Sequence, residues 1–524
     1  MSVTAAQSVR SIVILGGGAA GWLTAGILAA EHNLPDNPNL TITVVESPDI
    51  SILGVGEGTW PTMRDTLRKL GLNEKTFLKR CDASFKQGTC FNGWVNGQPG
   101  DRYYHPFSLP AGFFDTDLFA WWQLHRPAQP FAALFSTQTQ LCEQHKAPKQ
   151  PQTPDFAAVA NYGYHLDANK FAEMLREHCL TQLGVGHILD HCDEVLTDNE
   201  GYITALSGRQ QGQIAADLFV DCSGFAARLI GQHYGEILTP VGHTLMNDTA
   251  VAVQAPYKDE HTPIASATHS TADEAGWIWD IGLQHRKGVG YVFSSAFCSE
   301  QEAKQRLLNY LANDSSTSRV SEEQIRTIQF TPGYRKHLWV KNCVAIGTSA
   351  GFIEPLEASA LVMIELSATM LARQLPLTQP AMHGAARHFN TVFSQRWQRI
   401  VDFLKLHYVL SQRRDTPYWR AMTDQAACSE QLADWLQQWA TRSPSLSDFM
   451  FSEEIFPHAS YLYILCGMGF PSDIDPMRYT PYKMADVSKI IEKNQQLTRQ
   501  HLQGLPANRE LLQSTFGLIV NHAS

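Results

Sequence analysis

The chain has no C-x-x-C pair, although ten cysteines are spread over its 524 residues. Cys81, Cys90, Cys142, Cys179, Cys192, Cys222, Cys298, Cys343, Cys428 and Cys466 stand singly. That pattern excludes a zinc knuckle and a thioredoxin-type dithiol. A chain this long needs no disulfide staples, so reduced thiols and a cytoplasmic location are expected. It also lacks any run of lysine and arginine, and its net charge is −10. Phosphate binding needs a basic face, so nucleic acid is excluded as a partner. There is no metal motif, pterin or thioester-carrier motif, internal repeat or low-complexity tract. An uninterrupted membrane-length apolar run is missing as well. Residues 12–30 are long enough, but Gly16, Gly17, Gly18, Gly21 and Gly26 crowd them. A signal peptide or membrane span would account for the hydrophobicity and leave the glycines unexplained.

What is present reads as an ordinary globular chain of two or three structural units, 44% hydrophobic and 18% charged. SIVILGGGAAGWLTAGILAAEHN (11–33) gives a β-branched strand, a glycine turn and an alanine-rich helix. Gly16, Gly18 and Gly21 have the spacing of a dinucleotide-binding turn in the required strand-to-helix context. The first glycine permits the tight turn, the second lets backbone approach a pyrophosphate, and the third lets helix pack closely on strand. The helix N-terminus then stabilises the phosphates. TITVVES (41–47) supplies a second strand ending in Glu46, placed to accept hydrogen bonds from ribose hydroxyls, with the loop LPDNPNL absorbing a slightly long spacing. ADLFVDCSGFAARLI (216–230) and NCVAIGTSAGFIEP (342–355) repeat the strand-then-small-residue-turn pattern. Such returns favour an extended FAD over NAD.

GWIWDIGL (276–283) sets Trp277 and Trp279 two apart, on one face of an extended strand, until Gly282 ends the alternation. The simpler reading is half of a sheet core. The other is a wall of indole between two things that must not touch.

At GTSAGFIEPLEASAL (347–361) the chain resembles the flavin-dependent halogenases, the tryptophan halogenase family, which share the FAD core of the flavin monooxygenases. GGGAAGW, with Ala19 and Ala20 inside it, is similar to the family's pyrophosphate turn. GWIWDIGL resembles its Trp-x-Trp-x-Ile-Pro signature, with Gly282 where proline is usual. GVGEGTWPT (54–62), ASFKQG (83–88) and EPLEASAL (354–361) resemble its flavin, lysine and glutamate segments, and VDFLKLHYVLSQR (401–413) its helical C-terminal part. The resemblance implies that Trp277 and Trp279 form a barrier between substrate and flavin. The flavin's oxidising power then falls on chloride or bromide, giving hypohalous acid. Lys86 matches the active-site lysine, which acts either as a charged hydrogen-bond donor or as a neutral amine forming a haloamine. Glu357 matches the active-site glutamate, which stabilises the cationic arene and takes part in removing its proton. By composition alone, Glu354 and Glu357 could instead be the acidic first turn of the following helix. The halide is implied on the amides of Ser359 and Ala360, flavin contacts at Val195, Thr348 and Leu361, and substrate contacts at His105 and Phe107 in YYHPF.

The stretch FPHASYLYILCGMGFPSDIDP (456–476) resembles family members without the lid that grips free tryptophan, so an unattached indole or phenol is the expected substrate. The expected fold is α/β. An FAD-binding doubly wound domain of the flavin monooxygenase type comes from 1–100, 185–235 and 338–370. A mostly antiparallel substrate sheet comes from 101–184 and 236–337, and a helical region from 371–524. No NAD(P)H site is visible, so a separate flavin reductase should supply FADH2. A homodimer is left open, as are an oxygen-inserting flavin monooxygenase, for which a strand shifted at Gly282 would argue, and a degenerate FAD-binding protein.

Overall fold

The computed structural model describes residues 8–49, 56–375, 377–449, 454–478 and 486–515. Gly54 and Val55, which open GVGEGTWPT, lie outside the described residues. The first strand, β1 (Ser11–Leu15), leads through the glycine turn into α1 (Ala19–Glu31) and back into β2 (Thr41–Glu46). These form the centre of a six-stranded sheet. Its order is Trp339–Val340, Cys343–Ala345, Leu218–Asp221, β1, β2, Gly186–Leu189, parallel throughout except at the first pair. Ile12, Val13, Ile14 and Leu15 are all buried, as expected for a parallel strand covered on both faces. On one face α1 packs between the helices Ala168–Thr181 and Ser359–Gln374.

A second sheet has seven strands, in the order Arg326–Gln329, Thr249–Pro256, Arg286–Phe293, Gly276–Gly282, Thr268–Ala272, Gly88–Asn92, Arg102–Pro106. All its pairings are antiparallel except that of Thr268–Ala272 with Gly88–Asn92. The sheet therefore begins before residue 101, because Gly88–Asn92 must pair with the hairpin partner that follows it. A three-stranded sheet of Glu57–Gly58, Gly163–Leu166 and Ser84–Lys86 carries Lys86. Past residue 371 the regular elements among the described residues are helical, apart from the isolated pairings of Thr378 and Ala507. They are dominated by Gln379–Val409. No helix among the described residues is long and apolar enough to cross a membrane.

The strand bearing the two tryptophans stays paired as far as Gly282, its last residue. Its register with Arg286–Phe293 is continuous from Trp277↔Val292 to Gly282↔Lys287. The shifted strand considered from sequence is absent, and the glycine has a local cause. A Cβ at 282 would lie 3.0 Å from the Tyr257 hydroxyl and 3.2 Å from Ile264. Tyr257 thus occupies the space that a larger residue would need. Gly290, opposite Trp279, is bare for a similar reason. A Cβ there would fall 2.1 Å from the Trp279 indole, so the ring lies across the neighbouring strand's backbone.

Candidate active site

The first half of the site is a cradle at the end of β1. Gly16 has φ +123°, and a Cβ on it would strike the Cys222 carbonyl at 2.1 Å. At Gly21 a Cβ would meet the Gly16 carbonyl at 1.8 Å. Neither position admits a side chain. Gly18 faces open space at the start of α1, where no side chain caps the helix. Free helix-start amides beside open space fit a pyrophosphate. Glu46 folds over Gly17 and accepts a hydrogen bond from His187 Nε2 at 3.0 Å, which fixes its carboxylate beside the turn. Ala20 touches the other side of the cradle, since a Cβ at Gly347 (φ +81°) would lie 2.8 Å from its methyl. These residues fit an FAD: the amides at Gly18 would hold its pyrophosphate and Glu46 would accept from its ribose hydroxyls.

Thr348 links this cradle to the second half. It lines a cavity of about 230 Å³ whose walls include Lys86, Trp279, Glu57, Phe225, Phe352 and Ala360. Lys86 is 1% exposed, and its Nζ lies 5.4 Å from the centre of the Phe107 ring. Burial lowers its pKa from 10.5 to about 8, with the Glu357 carboxylate pulling the other way. Phe107 is half-buried, a flat apolar surface beside the ammonium.

Glu357 is held more elaborately than its sequence suggests. His105 Nδ1 lies 2.9 Å from Oε1, and His407 Nε2 lies 3.2 Å from the same oxygen, out of line for a hydrogen bond. Burial alone would push this carboxyl up. The charge and hydrogen bond of His105, together with His407, outweigh it and bring the pKa down to about 2. Burial lowers the pKa of His407, whose Nδ1 lies 2.6 Å from the Tyr103 hydroxyl. His105 uses its other nitrogen on Ser460 Oγ at 2.9 Å, so its ring braces Glu357 from behind, while Phe107 faces Lys86. Trp60 Nε1 donates to the Glu357 carbonyl at 2.8 Å.

The acidic-first-turn reading of Glu354 and Glu357 is overturned. The helix begins at Ser359 after Ala358 turns left-handed (φ 54°), and its first turn holds no acid. Both glutamates belong to the loop before it, which frees their carboxylates to point inward. Ser359 and Ala360 are the first two residues of that helix, and no side chain caps it. Their amides suit a halide. Leu361 is buried behind them, whereas Val195 sits in the strand Cys192–Thr197, packed on a small separate core.

Sequence reasoning missed His407, Ser460 and Trp60. The one available signal for His407 was a histidine–tyrosine pair inside an apolar helix segment, VDFLKLHYVL, where a polar ring needs a partner.

A helix-start cradle that fits a nucleotide, a cavity lined by both Thr348 and Lys86, and the buried Glu357 carboxylate acting on the charge of Lys86 fit a flavoprotein. Comparison with known proteins agrees. The tryptophan halogenase family model matches residues 11–481, and the chain belongs to that family of flavin-dependent halogenases. It is similar to the crystal structure of a tryptophan halogenase from Shewanella frigidimarina, with 44% identity, TM-score 0.93, and 97% of this chain and 98% of that one covered. BrvH, a flavin-dependent halogenase from Brevundimonas, is 32% identical at TM-score 0.82, covering 97% and 99%. Tryptophan 6-halogenase SttH from Streptomyces toxytricini is 31% identical over 87% of this chain and 89% of its own length.

Proposed function

We propose that the protein oxidises chloride or bromide with FADH2 and O2, and that Lys86 directs the resulting halogen onto an indole- or phenol-type aromatic. Bound flavin with O2 supplies the two-electron oxidising equivalent that converts halide to hypohalous acid. The chain's own residues do the rest. The amides of Ser359 and Ala360 hold the halide at the cavity wall. Trp279 closes the side of the cavity between flavin and substrate. With a pKa near 8, Lys86 is mostly ammonium at pH 7 and donates a hydrogen bond to the oxygen of hypohalous acid, making the halogen more electrophilic. The arene attacks the halogen, hydroxide leaves with the donated proton, and the ring carries a positive charge. Glu357, ionised down to about pH 2, stabilises that cation and draws off the ring proton. Phe107 offers the stacking face. FADH2 comes from a separate reductase.

The observation that carries this reading is the shared cavity: Thr348, Trp279, Ala360 and Lys86 line one space of about 230 Å³. The test supplies FADH2, O2, chloride or bromide and a panel of indoles and phenols, read by mass spectrometry. A product carrying the halogen isotope pattern, formed only when halide is present, is expected. An oxygenated product formed equally well without halide would make the protein a monooxygenase.

A further inference from the structure

Glu354 is a fully buried carboxyl that the reaction above does not use. Its Oε2 accepts three hydrogen bonds, from Trp277 Nε1 at 2.6 Å, Asn247 Nδ2 at 2.6 Å and the Tyr408 hydroxyl at 2.7 Å. Tyr418 completes the cluster by donating to Asn247 Oδ1 at 3.1 Å. Glu354 and Trp277 are each 1% exposed, and Asn247, Tyr408 and Tyr418 are 0%. Oε1 is equally buried and takes no hydrogen bond. No salt bridge to Glu354 is present among the described residues. As packing alone this is a poor choice, since burying a carboxyl without a cation is costly and a leucine would fill the space.

The geometry gives the cost a purpose. Trp277 is the only indole of the barrier pair with its N–H on this carboxylate, and its ring meets Trp279 edge-on at 6.3 Å. Trp279 in turn fills the space where a side chain at Gly290 would stand, and it lines the cavity with Lys86. Glu354 stands three residues before Glu357 and five before the halide amides. Tyr408 donates to Glu354, and its neighbour on the long helix, His407, lies 3.2 Å from the Glu357 carboxylate. We propose that Glu354 is the positioning residue of the tryptophan barrier: it fixes the Trp277 indole and ties the barrier strand to the loop that carries Glu357 and leads into the helix start with the halide amides. The wall, the halide and the glutamate are then set by one element. This proposal rests on the barrier reading of Trp277 and Trp279 given above.

Two readouts test it on the FAD-loaded enzyme: halogenated product formed per FADH2 oxidised, and the indole ¹⁵N–¹H resonance of Trp277, assigned by its disappearance in Trp277→Phe. Glu354→Leu should move that resonance and lower the product ratio about tenfold or more, with hydrogen peroxide making up the difference. Glu354→Gln retains an acceptor for the indole N–H and should recover most of the ratio. Trp277→Phe should uncouple the enzyme as Glu354→Leu does, and combining the two should cost nothing further, because both remove the same restraint. An unmoved resonance, or additive losses in the double variant, overturns the role of Glu354 and leaves the barrier standing if Trp277→Phe still uncouples. A moved resonance with wild-type coupling in both Glu354→Leu and Trp277→Phe overturns the barrier reading itself. Should Glu354→Leu fail to fold, Glu354→Gln carries the test, since its amide oxygen must shift the resonance without the uncoupling seen in Trp277→Phe.

Discussion

Lys86 carries its charge where burial opposes it. Its folded-state pKa of about 8 lies below the ordinary 10.5, so the folded protein binds fewer protons than the unfolded chain between those values. Stability therefore rises with pH across that window, and below pH 8 the whole penalty remains, on the order of 3 kcal/mol. Lys86→Met should raise Tm at pH 7, and this advantage should shrink as pH approaches 10. The same titration separates the two chemical routes open to the lysine. If the ammonium is the working form, halogenated product per turnover should fall on one ionisation near pH 8 while FADH2 oxidation shows no such limb. Glu357 contributes nothing to that limb because His105 and His407 keep it ionised far below it. A rise in product through pH 8 would assign the work to the neutral amine.

At the scale of elements, legibility followed locality. The glycine turn, its helix and Glu46 were readable because strand, turn, helix and second strand follow one another in the chain, whereas the Cys222 carbonyl that excludes a side chain at Gly16 was not. Lys86 was readable only through its segment's likeness to a family. His407 was not readable, since it meets Glu357 across fifty residues of intervening helix and loop, and no spacing rule spans that distance. The effect of Gly282 was left open by the sequence for a related reason: the Tyr257 hydroxyl packed against it comes from outside the strand and its hairpin. The strand keeps its register with glycine there, so restoring the proline usual in the family should harm this chain. Gly282→Pro must displace the Tyr257 hydroxyl, and a loss of about 1–3 kcal/mol is expected, measured as a lower Tm. Tyr257→Phe in the same background should recover part of it. A Gly282→Pro protein with wild-type Tm would show that the hydroxyl does not hold the space.

Across the whole molecule, the sheets divide the labour. The six-stranded parallel sheet presents strand ends and helix starts to a nucleotide, and the seven-stranded sheet supplies a wall with indole on one face. Lys86 rides on neither; a third small sheet holds it in the wall of the cavity that Thr348 also lines. The proposed separation of an oxidising end from a substituting end makes a demand that a single-site enzyme would not meet. Lys86→Ala removes the hydrogen-bond donor and leaves Gly18, Glu46, Ser359 and Ala360 untouched. FAD should still bind, FADH2 should still be oxidised, and hypohalous acid should still form from the halide. Halogenation of the normal aromatic should drop by roughly a hundredfold or more, the range for one transition-state donor. A small diffusible scavenger such as a thioether or an activated phenol should nevertheless become oxidised or halogenated, because hypohalous acid now escapes. Both readings come from one reaction mixture analysed with and without the scavenger. Loss of scavenger and substrate chemistry together, with FAD still bound, would place Lys86 at the oxidising end and refute the division between the two stations.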